Sequence, residues 1–236
     1  MSDYNQPTSQ RAGVDVGLRD FMLGTYRYMA AAMAVTAGVA WFSAPYIAQL
    51  GIFRSPFALL AFVIAIPVLF GSIGRKLPTM SQGGMMAFLF GFAAFLGIFV
   101  SAITLVYPSV VLAKVFFMTV AMFGALSLFG YTTERNLSAF IKYAIAAFIG
   151  YIAISLLGAF VPALRPTGPL DIIINVIALA AIAMITAWET QMLKNVYYSV
   201  AGNAAMLKKM AAYGAASLLL SFVNMFNILL SLFGSE

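Results

Sequence analysis

The strongest constraint on this chain is an uncharged run of 21 residues near its C-terminus, Tyr213 to Phe233. A hydrocarbon core about 30 Å thick is crossed by roughly 20 apolar residues in a helix, so this run is long enough to span a bilayer. Asn224 and Asn227 lie three residues apart and therefore project from one helix face. Because an amide that faces lipid has no hydrogen-bond partner, we expect this face to point into protein or water. We predict a central helix here, enclosed by the others.

The composition places the rest of the chain in the membrane as well. The chain is 63% hydrophobic and 8% charged, whereas about a quarter of the residues in a soluble domain are charged. Its apolar stretches do not alternate with polar residues, which favours helices over barrel strands. We therefore predict an all-α integral membrane protein.

The residue types that the chain lacks, and the places where its basic residues lie, argue against several classes of function, so fewer functions fit this sequence. The chain has no cysteine and no histidine, which removes thiol chemistry and the commonest metal ligand. We therefore expect no enzyme activity and no cofactor, and we leave open whether a metal binds. The pI is near 9.6, but the basic residues are spread over loops rather than clustered in a stripe, so we expect no nucleic-acid partner.

Six further apolar stretches precede the C-terminal run, so the sequence predicts seven spans. We predict residues 1–20 to be a cytoplasmic N-terminal tail, disordered as far as Gly17, and residues 21–236 to be one seven-helix membrane domain. Pro45 and Gly51 are expected to form the turn after the first helix. The predicted helices are Thr25–Phe42, Pro56–Ile73, Gly84–Val106, Val110–Phe129, Phe140–Phe160, Leu170–Trp188 and Tyr213–Phe233.

The basic residues predict the orientation. The N-terminus and the loops after the second, fourth and sixth helices carry 10 of the 13 basic residues. The positive-inside rule therefore predicts a cytoplasmic N-terminus and, after seven spans, a C-terminus outside. The alternative is a re-entrant seventh segment with both termini inside.

Four segments carry a resemblance to a known family. Phe123–Ser138 reads FGALSLFGYTTERNLS, Thr186–Gln191 reads TAWETQ and Ser221–Asn227 reads SFVNMFN, with a weaker match from Tyr28 to Ala37. In this order and spacing they resemble the Bax inhibitor-one (transmembrane Bax inhibitor motif) family, whose patterns are FGxLSLxGYTTKRDLS, TAYDTQ and LYLDFIN. The resemblance implies a bacterial plasma (inner) membrane protein with a seven-helix bundle and a central last helix. It also implies a pH-sensitive leak of calcium or other cations, gated by two aspartates that share a proton.

The chain departs from the family pattern at this gate. The acid of the sixth helix is Glu189, and Asn224 stands where the pattern has the second acid. We therefore expect Glu189 to stay ionised and to pair with Arg75 as a latch, with a weak pH response that Asn224→Asp would steepen. Glu189 and Asn224 are expected to differ in depth by roughly 10 Å.

Simpler interpretations of these residues remain open. Glu189 can be a hydrated residue at the membrane interface, Arg75 an ordinary positive-inside anchor, and Asn224 and Asn227 interhelical hydrogen-bonding groups. Glu134 and its neighbour Arg135 are expected in a solvated turn or a docking surface.

Two functions follow from this sequence. The first is a membrane cation (calcium) leak channel or transporter, with Glu189, Asn224, Asn227 and Arg75 as gate and ion-pathway residues. The alternative, which the lost second acid favours, is a membrane-embedded modulator that binds a membrane AAA protease or another membrane protein. The expected partners are thus the lipid bilayer, calcium or other cations and a membrane protease. We expect the chain to be a monomer.

Overall fold

The computed structural model describes residues 8–51 and 55–234, with side chains from residue 16 onward. Over these residues the chain is all-α, as predicted, and no strand occurs in the described part. All seven α-helices are long and apolar enough to cross a membrane. They are α1 Thr8–Leu50, α2 Pro56–Lys76, α3 Gln82–Thr104, α4 Ser109–Thr132, α5 Ser138–Phe160, α6 Pro169–Val200 and α7 Ala204–Phe233.

The last helix is the centre of the bundle, which confirms the prediction from its sequence. α7 packs against α1, α3, α4 and α6, and it is the most buried of the described helices. Alanines on its surface, such as Ala212, Ala215 and Ala216, are fully buried. Small side chains allow helices to approach closely inside a membrane, where packing rather than water exclusion drives association.

The first helix extends beyond its predicted ends in both directions. Pro45 lies inside α1, so the prediction that it ends the helix is wrong, and the helix stops only before Gly51, whose φ is +61°. Prolines are tolerated inside membrane helices because neighbouring groups satisfy the carbonyl they release. At the other end α1 begins at Thr8, within the region predicted to be a disordered tail. Residues 1–7 of the predicted tail lie outside the described residues.

Polar segments at the ends of α6 and α7 are helical rather than looped. α6 continues twelve residues past its predicted end at Trp188, and α7 begins at Ala204 instead of Tyr213. The Asn203 side chain caps α7 by accepting from the backbone N–H of Met206 at 2.9 Å. The first part of α7, residues 204–212, is rich in alanine, lysine, leucine and methionine, which are strong helix formers. Ala211 and Ala212 also pack into the core, so the helix continues beyond the uncharged run.

Two polar side chains hold the loops at the end of the bundle where α6 ends and α7 begins. The buried ammonium group of Lys209 in α7 donates to three carbonyls of the α2–α3 loop, those of Leu77, Pro78 and Met80, at 3.0, 3.0 and 3.2 Å. Gln191 of α6 holds the α4–α5 loop from both sides. Its Oε1 accepts from the N–H of Leu137 at 3.0 Å, and its Nε2 donates to the carbonyl of Arg135 at 2.8 Å.

Candidate functional site

The carboxylate of Glu189 is held by two hydroxyl groups of the central helix. Ser217 Oγ donates to Glu189 Oε1, and Ser221 Oγ donates to Oε2 at 2.6 Å. The two serines lie four residues apart, so they face the same way on adjacent turns of α7. Both carboxylate oxygens therefore have a partner on α7, and the partly buried Glu189 links α6 to the central helix.

The depth of this contact follows from the position of its serines on α7. Sixteen residues separate Ser217 from Phe233, a rise of about 24 Å. The contact thus lies well past the middle of a core about 30 Å thick, towards the end that carries Lys208 and Lys209. This position agrees with the expectation that Glu189 lies near one end of its span.

The two serines belong to a longer row of polar side chains on α7, which we call the polar stripe. Successive members are three or four residues apart, so at about 100° per residue they fall within an arc of roughly 120°. The stripe rises about 21 Å along the helix. Its members are Ser217, Ser221, Asn224, Asn227 and Ser231.

The asparagines of the stripe line a cavity of about 650 Å³ between α2, α3, α5 and α7. We call it the amide cavity. Asn224 and Asn227 are half-buried, and Asn227 Oδ1 has no hydrogen-bond partner in the protein. Along this wall α2 packs loosely, since it contains no buried residue. The asparagines therefore face a space rather than a neighbouring helix.

A second, smaller cavity of about 340 Å³ adjoins the amide cavity at the C-terminal end of α7. Ser231 of the stripe lines it together with Arg165 and Asp171, and the two cavities share the side chains of Tyr151 and Ser155.

The wall of the smaller cavity also contains a buried hydrogen-bond acceptor, the Asn175 side chain. Asn175 is 3% exposed, and its Nδ2 donates to the carbonyl of Asp171 at 2.9 Å. Its Oδ1 has no partner in the protein. Carboxylate, amide and hydroxyl oxygens are the groups that hard cations prefer, and the smaller cavity offers them from Asp171, Asn175 and Ser231. The amide cavity is mostly apolar, with its two asparagines on one wall.

The structure does not bring the predicted site residues together as the sequence suggested. Arg75 is exposed at the end of α2, where its Nε donates to the carbonyl of Gly71 at 3.1 Å. Glu189 bonds to serines instead, so the described residues include no Arg75–Glu189 latch. Asn224 lies one turn beyond Ser221 on α7, in the amide cavity and not against the carboxylate.

Several residues of the site were not predicted from the sequence. The serines at 217 and 221 could have been found from their spacing, because they continue the asparagine face by steps of four and three residues. Asp171, Asn175 and Tyr151 carry no such signal, since their proximity depends on how α5 and α6 pack. Among the described residues no three acidic side chains group closely enough to hold a metal ion.

These features define a class: a polytopic α-helical membrane protein with a carboxylate bound to hydroxyls at one end of a polar stripe on its central helix. The chain belongs to the family described as inhibitor of apoptosis-promoting Bax1, whose model matches residues 18–236. The resemblance carried by the four sequence segments is thereby confirmed.

Curated bacterial relatives match over almost the full length of the chain. The inner membrane protein YbhL of Escherichia coli K12 is 31% identical, with 93% of each chain covered. A protein of Caulobacter vibrioides is 31% identical over 256 residues, covering 100% of this chain and 99% of the relative. The protein YrjE of Lactococcus lactis is 32% identical, with 99% of this chain and 97% of the relative covered.

Proposed function

We propose that this protein is a cation leak channel or transporter of the bacterial inner membrane, in which Glu189 controls passage at one end of the polar stripe. The observation that carries the proposal is the double hydrogen bond from Ser217 and Ser221 to the Glu189 carboxylate. The location is supported by the E. coli relative, which is named an inner membrane protein. Calcium is the ion that membership of the family suggests.

In the proposed closed state, Glu189 ties α6 to α7 and occupies the end of the stripe. Passage requires these hydrogen bonds to break, because the carboxylate and the hydroxyls otherwise satisfy one another. Once released, the same oxygens can accept a cation, and the asparagine amides continue the row of oxygen ligands. Glu189 thus has two roles, since it holds the gate closed and supplies the negative charge that a passing cation meets.

These two roles can be separated by mutation. Ser217→Ala with Ser221→Ala removes the hydrogen bonds but keeps the charge, so we expect cation influx into liposomes to rise. Glu189→Gln removes the charge, so we expect influx to fall, both alone and in the serine double variant. A hydrogen bond to a charged group contributes about 1.5–3 kcal/mol, so the rise in the serine variant corresponds to roughly tenfold or more.

The assay uses the purified full chain in liposomes that contain a calcium-sensitive dye. Glu134→Gln is the matched control, because Glu134 is an exposed acid of the α4–α5 loop, away from the stripe. The control should conduct like the wild type. Equal fluxes in the wild type and in Glu189→Gln would refute the role of Glu189.

Binding to another membrane protein, such as a membrane AAA protease, is the second candidate. One observation favours it: Gln191 pins the backbone of the α4–α5 loop, which leaves Glu134 and Arg135 exposed on a fixed support. This function predicts that folded, reconstituted wild type passes no more cation than liposomes without protein. The flux assay therefore also separates the two candidates.

A further inference from the structure

A groove separates α1 from α4 on the side of the bundle away from the amide cavity. α1 packs on α3 and α7, and α4 packs on α6 and α7, so that α7 forms the floor between them. The groove has a volume of about 950 Å³. Its lining is mostly apolar and includes Met22, Met29, Met33, Phe116, Phe123 and Phe222. Methionines are flexible and polarizable, so they adapt well to an irregular hydrocarbon chain.

The length of the groove suits one acyl chain. On α4 its lining extends from Phe116 to Tyr131, a rise of about 22 Å. One leaflet contributes about half of a hydrocarbon core roughly 30 Å thick. The groove therefore accommodates a chain that enters from one leaflet and reaches past the midplane.

One end of the groove carries positive charge. Arg19 of α1 and Tyr131 of α4 both line this end, because the two helices are antiparallel. The ammonium group of Lys194 lies beside Tyr131, where it donates to the Tyr131 carbonyl at 3.3 Å and sits 5.7 Å from the ring centroid. Arg19 is exposed, and an ammonium group has three donors. Both cations can therefore still bind a phosphate.

A buried hydroxyl lies just below this charged end. Ser127 lines the groove and is 7% exposed, and its Oγ has no hydrogen-bond partner in the protein. It lies four residues from Tyr131, about 6 Å deeper along α4. An unsatisfied buried hydroxyl costs free energy, and in this groove a ligand oxygen at the depth of Ser127 would satisfy it.

We propose that this groove binds a single glycerophospholipid with a net negatively charged headgroup. The phosphate binds Arg19 and Lys194, an ester carbonyl accepts from Ser127 Oγ, and one acyl chain lies along the methionines of α1. The occupant is a lipid rather than a free phosphate because the polar groups occupy only one end of a long apolar groove.

Headgroup selectivity tests the charged end. The purified full chain is equilibrated with equal amounts of phosphatidylglycerol and phosphatidylcholine, and the retained lipid is counted by native mass spectrometry. We expect the wild type to retain phosphatidylglycerol preferentially, because the cationic choline of phosphatidylcholine is repelled by Arg19 and Lys194. Arg19→Gln removes one of these two charges and should therefore lower the preference severalfold. Arg27→Gln is the matched control, because Arg27 is exposed on the same helix outside the groove. It should keep the wild-type preference.

Occupancy of the groove is tested separately. A Cβ at Gly124 meets no atom within 4 Å, and Gly124 lines the groove. Gly124→Leu should therefore fold and should displace both lipids, whereas Gly91→Leu, at an equally open position on α3, should retain them. Ser127→Ala should lower the retention of both lipids equally, because both carry the ester carbonyl that accepts from Ser127 Oγ. Equal retention of the two lipids by the wild type, or equal loss in the Gly91 and Gly124 variants, would overturn the proposal.

Discussion

The Glu189 carboxylate depends on two single residues, Ser217 and Ser221, for all of its described hydrogen bonds. Glu189 was identifiable in the sequence because it takes the acid position of the TAYDTQ pattern, directly after the predicted end of the sixth helix at Trp188. Its partners were not, because a pattern gives the face of a helix but not its depth against a neighbour. The carboxylate bonds to serines that lie seven and three residues before Asn224, which are rises of about 10 and about 4.5 Å. Its depth therefore differs from that of Asn224 by less than the expected gap of roughly 10 Å.

A second acid placed at Ser221 should create a pH-dependent gate. Two carboxyls at hydrogen-bond distance share a proton, because both cannot be charged at close range without strong repulsion. In Ser221→Asp, we expect the shared proton to hold the gate closed at low pH and its loss to raise flux as the pH increases. The flux of Asn224→Asp should depend less on pH than that of Ser221→Asp, since Asn224 lies one turn further from Glu189. Flux of the wild type should change little between pH 6 and 8.

Liposome flux measured at intervals of half a pH unit gives this comparison. A flat profile for Ser221→Asp, or a steeper one for Asn224→Asp than for Ser221→Asp, would show that the serine contact is not the gate.

At the scale of helices, the sequence predicted every span but placed several ends incorrectly. Apolar stretches located the seven helices, because a span needs a minimum apolar length. The ends of α6 and α7 were missed because helical propensity continues where hydropathy stops. The end of α1 was missed at Pro45, where packing in the bundle tolerates a proline.

The spacing between α4 and α6 depends on a glycine. A Cβ at Gly130 would overlap the carbonyl oxygen of Ala187, whereas a Cβ at Gly124, on the same helix, meets no atom within 4 Å. We expect Gly130→Ala to lower the free energy of unfolding by about 1–3 kcal/mol, the usual cost of overpacking. Gly124→Ala should be neutral or slightly stabilising, since alanine favours helix.

Thermal unfolding of the two variants in the same detergent, followed by fluorescence-detected size exclusion, measures the difference. If both variants melted at the same temperature, the close approach of α4 and α6 would not contribute to stability.

At the scale of the whole molecule, the all-α bundle with a central last helix was predictable, while its cavities were not. Composition and an uncharged run containing two asparagines sufficed for the architecture. The amide cavity arises because α2 packs loosely, and the α1–α4 groove arises because α1 and α4 pack on other helices. Both are consequences of helix placement, which no local pattern encodes.

The orientation stays a prediction from the charge distribution. With the N-terminus in the cytoplasm and seven spans, the C-terminus is expected outside. α7 supports a full span, since it is one uninterrupted helix of 30 residues. A C-terminal alkaline phosphatase fusion should therefore be active, and a C-terminal green fluorescent protein fusion should be dark. The reverse pattern would place both termini on the cytoplasmic side.

The most direct test of the central claim is water access along the polar stripe. The chain has no cysteine, so single cysteines report without background. Asn227→Cys and Ser231→Cys should react readily with a membrane-impermeant thiol reagent in liposomes. Leu219→Cys and Leu229→Cys, at buried positions of the same helix, should react at least about tenfold more slowly, because reaching them requires local unfolding. If Asn227→Cys reacted no faster than Leu229→Cys, the stripe would not line a water-accessible path and the proposed route to Glu189 would be wrong.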